Sequence, residues 1–264
     1  MSTILVNNTQ IAFDDTGSGS PVILLHGFPF NRTLWSEQVS ALSPTHRVIT
    51  PDLRGFGASD VTDSPATMSD MAQDIAALMD SLGIERATIG GLSMGGYVVL
   101  AFYKLFPERV SALILADTRP QADSEEAKVT RAQQAKDALS EGMAGIANAM
   151  LPKLFTPDSV AHKPHSVQRV REMMMTTKSA GAAAALMGMA VREDHTEALP
   201  KVNVPTLILV GREDPITPVA DSETMHKQIV GSELVIIDNA SHVSNVEQAD
   251  QFNSHLKAFL SKID

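Results

Sequence analysis

The sequence predicts an α/β protein: a mostly parallel, doubly wound sheet of eight strands, helices on both faces, and a helical segment inserted between two strands. Three observations carry this prediction. Short runs of Val, Ile and Leu recur along the chain, helical patterns separate them, and the alternation stops after Asp117 and resumes near Pro200. Continuously apolar runs suit strands buried on both faces, as parallel sheets require. Strand and helix in alternation give right-handed crossovers.

The elements follow in order. The opening segments "TILVNN" and "IAFDDTG" alternate in polarity and are joined by Asn7-Asn8-Thr9, which reads as an antiparallel hairpin at the sheet edge. Strands are then expected in "VILLHG" at 22–27, "RVITPD" at 47–52, "ATIGGLS" at 87–93, "SALILAD" at 111–117, "TLILVG" at 206–211 and "LVIID" at 234–238. Between them, residues 68–83 place Met71, Ile75, Leu78, Met79 and Leu82 on one helical face, and Gly83 ends the helix. From 119 to 199 the pattern is helical throughout. The expected organisation is therefore a core of residues 1–118 and 200–264, with 119–199 as a helical cap over the strand C-termini. Met143, Met150, Met173, Met174, Met175, Met187 and Met189 fall in that cap, where methionine suits helix–helix gaps or an adaptable apolar pocket.

Composition narrows the function. The 264 residues suffice for one large α/β domain with an insertion, and the formal charge of −10 repels polyanions, which argues against a nucleic-acid partner. Cysteine is absent, which excludes disulfides, thiolate nucleophiles and Cys-ligated metal centres. The N-terminus has no basic region followed by an apolar stretch, and no apolar run approaches the roughly 20 residues needed to cross a bilayer. A cytoplasmic protein without a membrane partner is expected, as a monomer or a homo-oligomer. His46, His162, His165, His195, His226 and His255 lack ligand spacing, so no metal or cofactor is expected, and most should be solvated. Arg131, Lys136, Arg169, Arg171 and Arg192 of the helical segment are likewise expected in solvent.

The stretch "GGLSMGG" at 90–96 joins a predicted strand to a predicted helix and contains Gly91-Leu92-Ser93-Met94-Gly95. A serine at such a turn is held in strained backbone, and the positions two residues away must lack side chains to avoid collision. Its hydroxyl then lies at a helix N-terminus, where backbone N–H groups favour developing negative charge. A serine hydroxyl needs a base to become nucleophilic. Asp214, after one predicted strand, and His242, after the next, fall on the same edge of the sheet as Ser93.

With "LLHGFP" at 24–29, similar to a His-Gly oxyanion loop, and "PDLRGFGASD" at 51–60, similar to an Asp-x-Arg-Gly-x-Gly-x-Ser loop, the sequence resembles the α/β-hydrolase superfamily over essentially its whole length. The chain order Ser93, Asp214, His242 is that family's order. The resemblance implies Ser93 as nucleophile, His242 as general base and then general acid, and Asp214 as the group orienting the imidazole. It implies an oxyanion hole made by the backbone N–H groups of Phe28 and Met94. Asp117, also at a strand end, is the alternative acid position. Asp52 and Arg54 are expected to tie down their loop, and His26 to be structural.

A serine at this turn, where other family members carry aspartate, leaves acyl chemistry. The resemblance implies hydrolysis of small carboxylic esters or lactones through an acyl-enzyme, with a small-molecule substrate and no cofactor. "DNASHVSNVEQADQFN" and "VPTLILVGREDPITP" are similar to enol-lactone hydrolases and small esterases, while the "HGFP" loop is closer to esterases and cofactor-free haloperoxidases. Alternatives are an enol-lactone hydrolase, a haloperoxidase or perhydrolase in which peroxide replaces water beside Phe28-Pro29, and a non-enzymatic ligand receptor on the same fold.

Overall fold

Asn7 and Asn8 both take positive φ, +47° and +59°, the requirement of a two-residue turn whose twist matches the flanking strands. They join β1 (Ser2–Val6) to β2 (Thr9–Thr16) in an antiparallel pair closing on Val6 and Thr9. The computed structural model describes residues 1–62 and 65–263. Along the chain follow β3 (Pro21–Leu25), α1 (Ser36–Leu42), β4 (Arg47–Pro51), α2 (Met68–Ser81), β5 (Ala87–Leu92), α3 (Met94–Leu105) and β6 (Val110–Ala116). Then come five helices: α4 (Glu125–Glu141), α5 (Ala144–Leu154), α6 (Pro157–His162), α7 (Pro164–Thr176) and α8 (Ser179–Ala190). The chain ends with β7 (Thr206–Gly211), α9 (Val219–Gln228), β8 (Glu233–Ile237), α10 (Ser244–Glu247) and α11 (Ala249–Leu260).

The eight strands form one sheet in the order β1-β2-β4-β3-β5-β6-β7-β8. β2 pairs antiparallel with β4, and every pair from β4 onward is parallel. Side-chain alternation along each strand feeds two cores. Ile23, Leu25, Ile89, Leu113 and Leu115 pack with α2 and α3 on one face. Val22, Leu24, Ile114, Leu207 and Leu209 pack with Leu42 of α1 and with Phe252, Leu256 and Phe259 of α11 on the other. Met71, Ile75, Leu78 and Met79 are buried on α2, and Thr67 caps that helix by a reciprocal bond with Asp70.

The Ala-rich stretch of α8 has a packing role. Ala182 through Ala185 are buried, and the Ala184 carbonyl accepts from the Ala66 N–H at 3.0 Å. Small side chains let this helix approach loop backbone: a Cβ on Gly181 would overlap the Gly55 carbonyl, and one on Gly188 the Ala66 carbonyl. Among the described residues no helix is long and apolar enough to cross a membrane. The methionines are divided, since Met143, Met173, Met174 and Met189 are buried whereas Met175 is exposed.

The expectation that most of the six histidines are solvated has exceptions, and that for Arg192 is corrected. His46 and His195 are buried rather than solvated. Arg192 is buried too: its guanidinium lies 4.2 Å from the centroid of the Tyr97 ring and pairs with Asp123 at 2.6 Å. Arg131 bonds the same carboxylate, so both cations are consumed internally. Burial would raise the Asp123 pKa, but the two guanidinium groups outweigh it and hold it below the ordinary value.

Gly188→Ala is expected to lower the unfolding free energy by about 1–3 kcal/mol, the usual cost of overpacking, since α8 must then withdraw from the 66–67 backbone. Urea denaturation followed by circular dichroism checks this, and unchanged stability would show that the contact is not tight.

Candidate active site

Ser93 stands between β5 and α3 with φ +54° and ψ −114°. That strained backbone is fixed from several sides. The Ser93 N–H donates to the Ala116 carbonyl at 3.0 Å, and the Ser93 carbonyl accepts from Gly96 N–H at 2.9 Å, Tyr97 N–H at 3.2 Å and the Thr118 hydroxyl at 2.8 Å. The neighbouring glycines are steric requirements: a Cβ on Gly91 would strike the backbone of Gly95, and one on Gly95 the carbonyl of Leu25.

The three residues expected from separate strand ends meet here. His242 Nε2 lies 2.9 Å from Ser93 Oγ, and His242 Nδ1 lies 2.8 Å from Asp214 Oδ2. His242 and Asp214 side chains are essentially inaccessible, while Ser93 retains 8 % exposure. An ionised carboxylate can only accept. Nδ1 therefore carries the proton, and Nε2 accepts from the serine hydroxyl.

Asp214 is held by its own loop. Its Oδ1 accepts the N–H groups of Ile216 (2.8 Å) and Thr217 (3.0 Å), and its Oδ2 accepts the Thr217 hydroxyl at 2.5 Å. Burial pushes the Asp214 pKa up, yet the facing imidazole and the Thr217 hydrogen bonds prevail and keep it below the ordinary value. Thr217 escaped the sequence reading, although the Asp-x-x-Thr spacing of "DPIT" is a turn signal in which aspartate bonds its own downstream backbone.

Asp117 is not joined to His242. Its Oδ1 accepts from Gly211 N–H at 2.8 Å and its Oδ2 from the Ser244 hydroxyl at 2.5 Å, so it braces the strand-end backbone and the segment following His242. Burial and the nearby Asp214 charge raise its pKa well above the ordinary value, against the pull of its hydrogen bonds.

The oxyanion candidates lie beside the serine. Met94 is the first residue of α3, where first-turn amides lack intrahelical partners. Phe28 follows Gly27, whose Cβ would fall 3.2 Å from the Ser93 Cβ, and the Phe28–Pro29 peptide is cis. The Phe28 ring packs edge-on against Phe56. His26 is structural in its contacts, with Nδ1 on the Gly27 carbonyl (2.9 Å) and Nε2 accepting from Leu53 N–H (3.0 Å). Burial lowers its pKa and keeps it neutral. Asp52 binds Arg32 and the Ala58 N–H, and Arg54 reaches across to Asp74 of α2 with two bonds of 2.6 Å. Among the described residues no cluster of three or more potential ligands could hold a metal ion.

A family model described as the alpha/beta hydrolase fold matches residues 20–249. The chain belongs to the α/β-hydrolase family. Among its relatives is 3-oxoadipate enol-lactonase 2 of Acinetobacter baylyi, 31% identical over 89% of this chain and 86% of the relative. A solved thermophilic esterase from Thermogutta terrifontis is 41% identical with a TM-score of 0.97, covering 99% of this chain and 98% of its own. The enol-lactonase of Burkholderia xenovorans superposes with a TM-score of 0.92 at 31% identity, over 98% of this chain and all of its own (100%).

Two outcomes follow from this geometry. Asp214→Asn reverses the donor pattern at Nδ1 and is expected to lower kcat by about 10⁴-fold, the loss seen when a Ser-His-Asp enzyme loses its carboxylate; steady-state kinetics on a p-nitrophenyl ester checks it. For Asp117 the sign is set by its raised pKa. Below the unfolded value, about 3.9, both states are protonated and the group is neutral to stability. As pH rises past it, the unfolded chain ionises while the folded chain keeps its proton, so stability falls. Asp117→Asn removes that loss, and its stability relative to the parent should improve as pH rises past about 3.9 in urea titrations.

Proposed function

We propose that this chain is a serine hydrolase of small carboxylic esters, lactones included, and that it works through an acyl-enzyme. The observation that carries the proposal is the unbroken line from the Asp214 carboxylate through the His242 imidazole to the Ser93 hydroxyl, with separations of 2.8 and 2.9 Å. Serine, imidazole and carboxylate in that line supply a nucleophile, a base for its proton and an anchor for the resulting cation.

The steps balance on these groups. Ser93 Oγ bonds to the substrate carbonyl carbon as His242 Nε2 takes the hydroxyl proton. The tetrahedral oxyanion is held by the N–H groups of Met94 and Phe28, an arrangement in which one donor contributes on the order of 10²–10³ in rate. Breakdown expels the alcohol, which takes the proton back from the imidazolium. Water, deprotonated by the same Nε2, then releases the acid and restores Ser93. In a lactone the expelled alcohol stays tethered to the acyl group. Relatives named for enol-lactone and for ester hydrolysis support both substrate classes.

In this proposal residues 119–199 act as a cap that selects the substrate. The supporting contacts run from the inserted helices to the loops around Ser93: the Thr177 hydroxyl bonds the Pro29 carbonyl at 2.7 Å, and Lys178 bonds the Ser59 carbonyl at 3.1 Å.

A fluorophosphonate probe should label the protein at one serine and Ser93→Ala should remove the label. The same substitution should lower kcat for p-nitrophenyl acetate by on the order of 10⁶-fold. Labelling without turnover would point to a ligand receptor, and labelling that survives in Ser93→Ala would end the proposal. A panel of short esters against five- and six-membered lactones ranks the two substrate classes by kcat/KM.

A further inference from the structure

The loop that carries His242 is bonded on both flanks to the inserted helices. The Ser241 hydroxyl donates to the Lys153 carbonyl at 2.9 Å, and the Val243 N–H donates to the Leu154 carbonyl at 3.2 Å. Between these bonds stands Glu247, the last residue of α10, which is 1 % exposed. Its Oε1 accepts from the Thr156 N–H at 2.7 Å and the Thr156 hydroxyl at 3.1 Å, and its Oε2 accepts a short bond from the Ser241 N–H. Thr156 in turn caps α6, its hydroxyl accepting from Ser159 N–H at 3.1 Å, and Lys163 bonds the Glu247 backbone carbonyl.

A carboxylate sequestered this completely is costly unless its oxygens are supplied with donors. Here every donor belongs either to the residue preceding His242 or to the start of α6. An apolar side chain could fill the space without that cost, so the residue type is informative. Both oxygens accept. A neutral isostere does not serve both sides equally: glutamine would turn an NH₂ group toward one set of N–H and O–H donors.

We propose that Glu247 is a positioning residue for His242, fixing the Ser241–His242 peptide and coupling it to the inserted helices through Thr156. The inference rests on His242 being the general base. Loss of the link lets the imidazole drift from Ser93 while the substrate-binding surfaces stay in place, so kcat suffers and KM does not.

The test compares Glu247→Gln, Thr156→Val and their double variant in kcat and KM for p-nitrophenyl acetate, together with the downfield NMR resonance of the His242 Nδ1 proton. Glu247→Gln is expected to lower kcat by about 10²-fold, the scale of a small misplacement of a reacting group, to change KM by less than about twofold, and to shift or broaden the resonance. Thr156→Val removes one of the donors and should lower kcat by about threefold to tenfold. The double variant should lose no more than Glu247→Gln alone, because both act through one link. Asp74→Asn, which breaks the Arg54 pair far along α2, serves as a control that loses stability and keeps kcat. Parental kcat and resonance in Glu247→Gln, additive losses in the double variant, or a loss tracking only the folded fraction would each overturn the inference. If Glu247→Gln does not fold, Thr156→Val decides alone, and parental kcat with an unmoved resonance overturns it. His242→Ala separates the two levels: persisting hydrolysis there defeats the assignment of the base, whereas hydrolysis lost there but intact in Glu247→Gln defeats only the role of Glu247.

Discussion

The backbone of Ser93 sits in a conformation that an L-residue adopts only when its surroundings leave it no alternative, at a cost of about 1–3 kcal/mol. Here the surroundings are one N–H donated to β6 and one carbonyl saturated by three donors, with glycine wherever a side chain would intrude. The site geometry descends from that point. Because the hydroxyl projects from the turn between strand and helix, it meets an imidazole arriving from beyond β8. Relaxing the turn would reclaim the strain and separate the two groups.

Charge at the site is shaped by two buried carboxyl groups pushed in opposite directions. Asp214 and Asp117 follow strands at the same sheet edge, and the Asp214 charge helps raise the Asp117 pKa. Two buried carboxylates at short range cannot both ionise without partners, so their environments divide the roles. Asp214 has the imidazole and three donors from its own loop and keeps its charge. Asp117 has no such cation, so burial and the neighbouring charge disfavour its ionisation, and its oxygens brace Gly211 and Ser244. In the proposed mechanism, a neighbour that resists ionising leaves Asp214 free to stabilise the imidazolium formed when Ser93 gives up its proton.

What could be read in the sequence is what local pattern encodes. Each parallel strand was visible as an apolar run because both faces of the sheet are covered, and Asn7-Asn8 marked the hairpin because few other residues accept positive φ. Ser93, Asp214 and His242 could be found because each follows a strand and the topology delivers strand ends to one edge. Pairings across long sequence separations were invisible. Glu247 in "SNVEQ" looks like a wet helix charge, and nothing nearby announces a bond to Thr156, 91 residues earlier. Arg192 looks like a surface cation until Tyr97 and Asp123 are brought beneath it. The Ala-rich α8 gave no sign of its partner, since small residues record only that something comes close.

Several bonds tie the inserted helices to the site, and three of them differ in kind. Thr177 reaches the Pro29 carbonyl beside the candidate oxyanion loop, Lys178 reaches Ser59 in the loop holding Asp52, and Thr156 reaches the His242 loop through Glu247. The first two are side-chain donors on backbone carbonyls, that of Thr177 buried and that of Lys178 partly so. The third is a buried carboxylate whose alternative partners are absent from its surroundings, so it cannot be exchanged for water without opening the core around it. The inserted helices are therefore held against the loops around Ser93 by different means: α8 by close backbone approach to Gly55 and Ala66, and the start of α6 by the carboxylate that also holds the residue before His242.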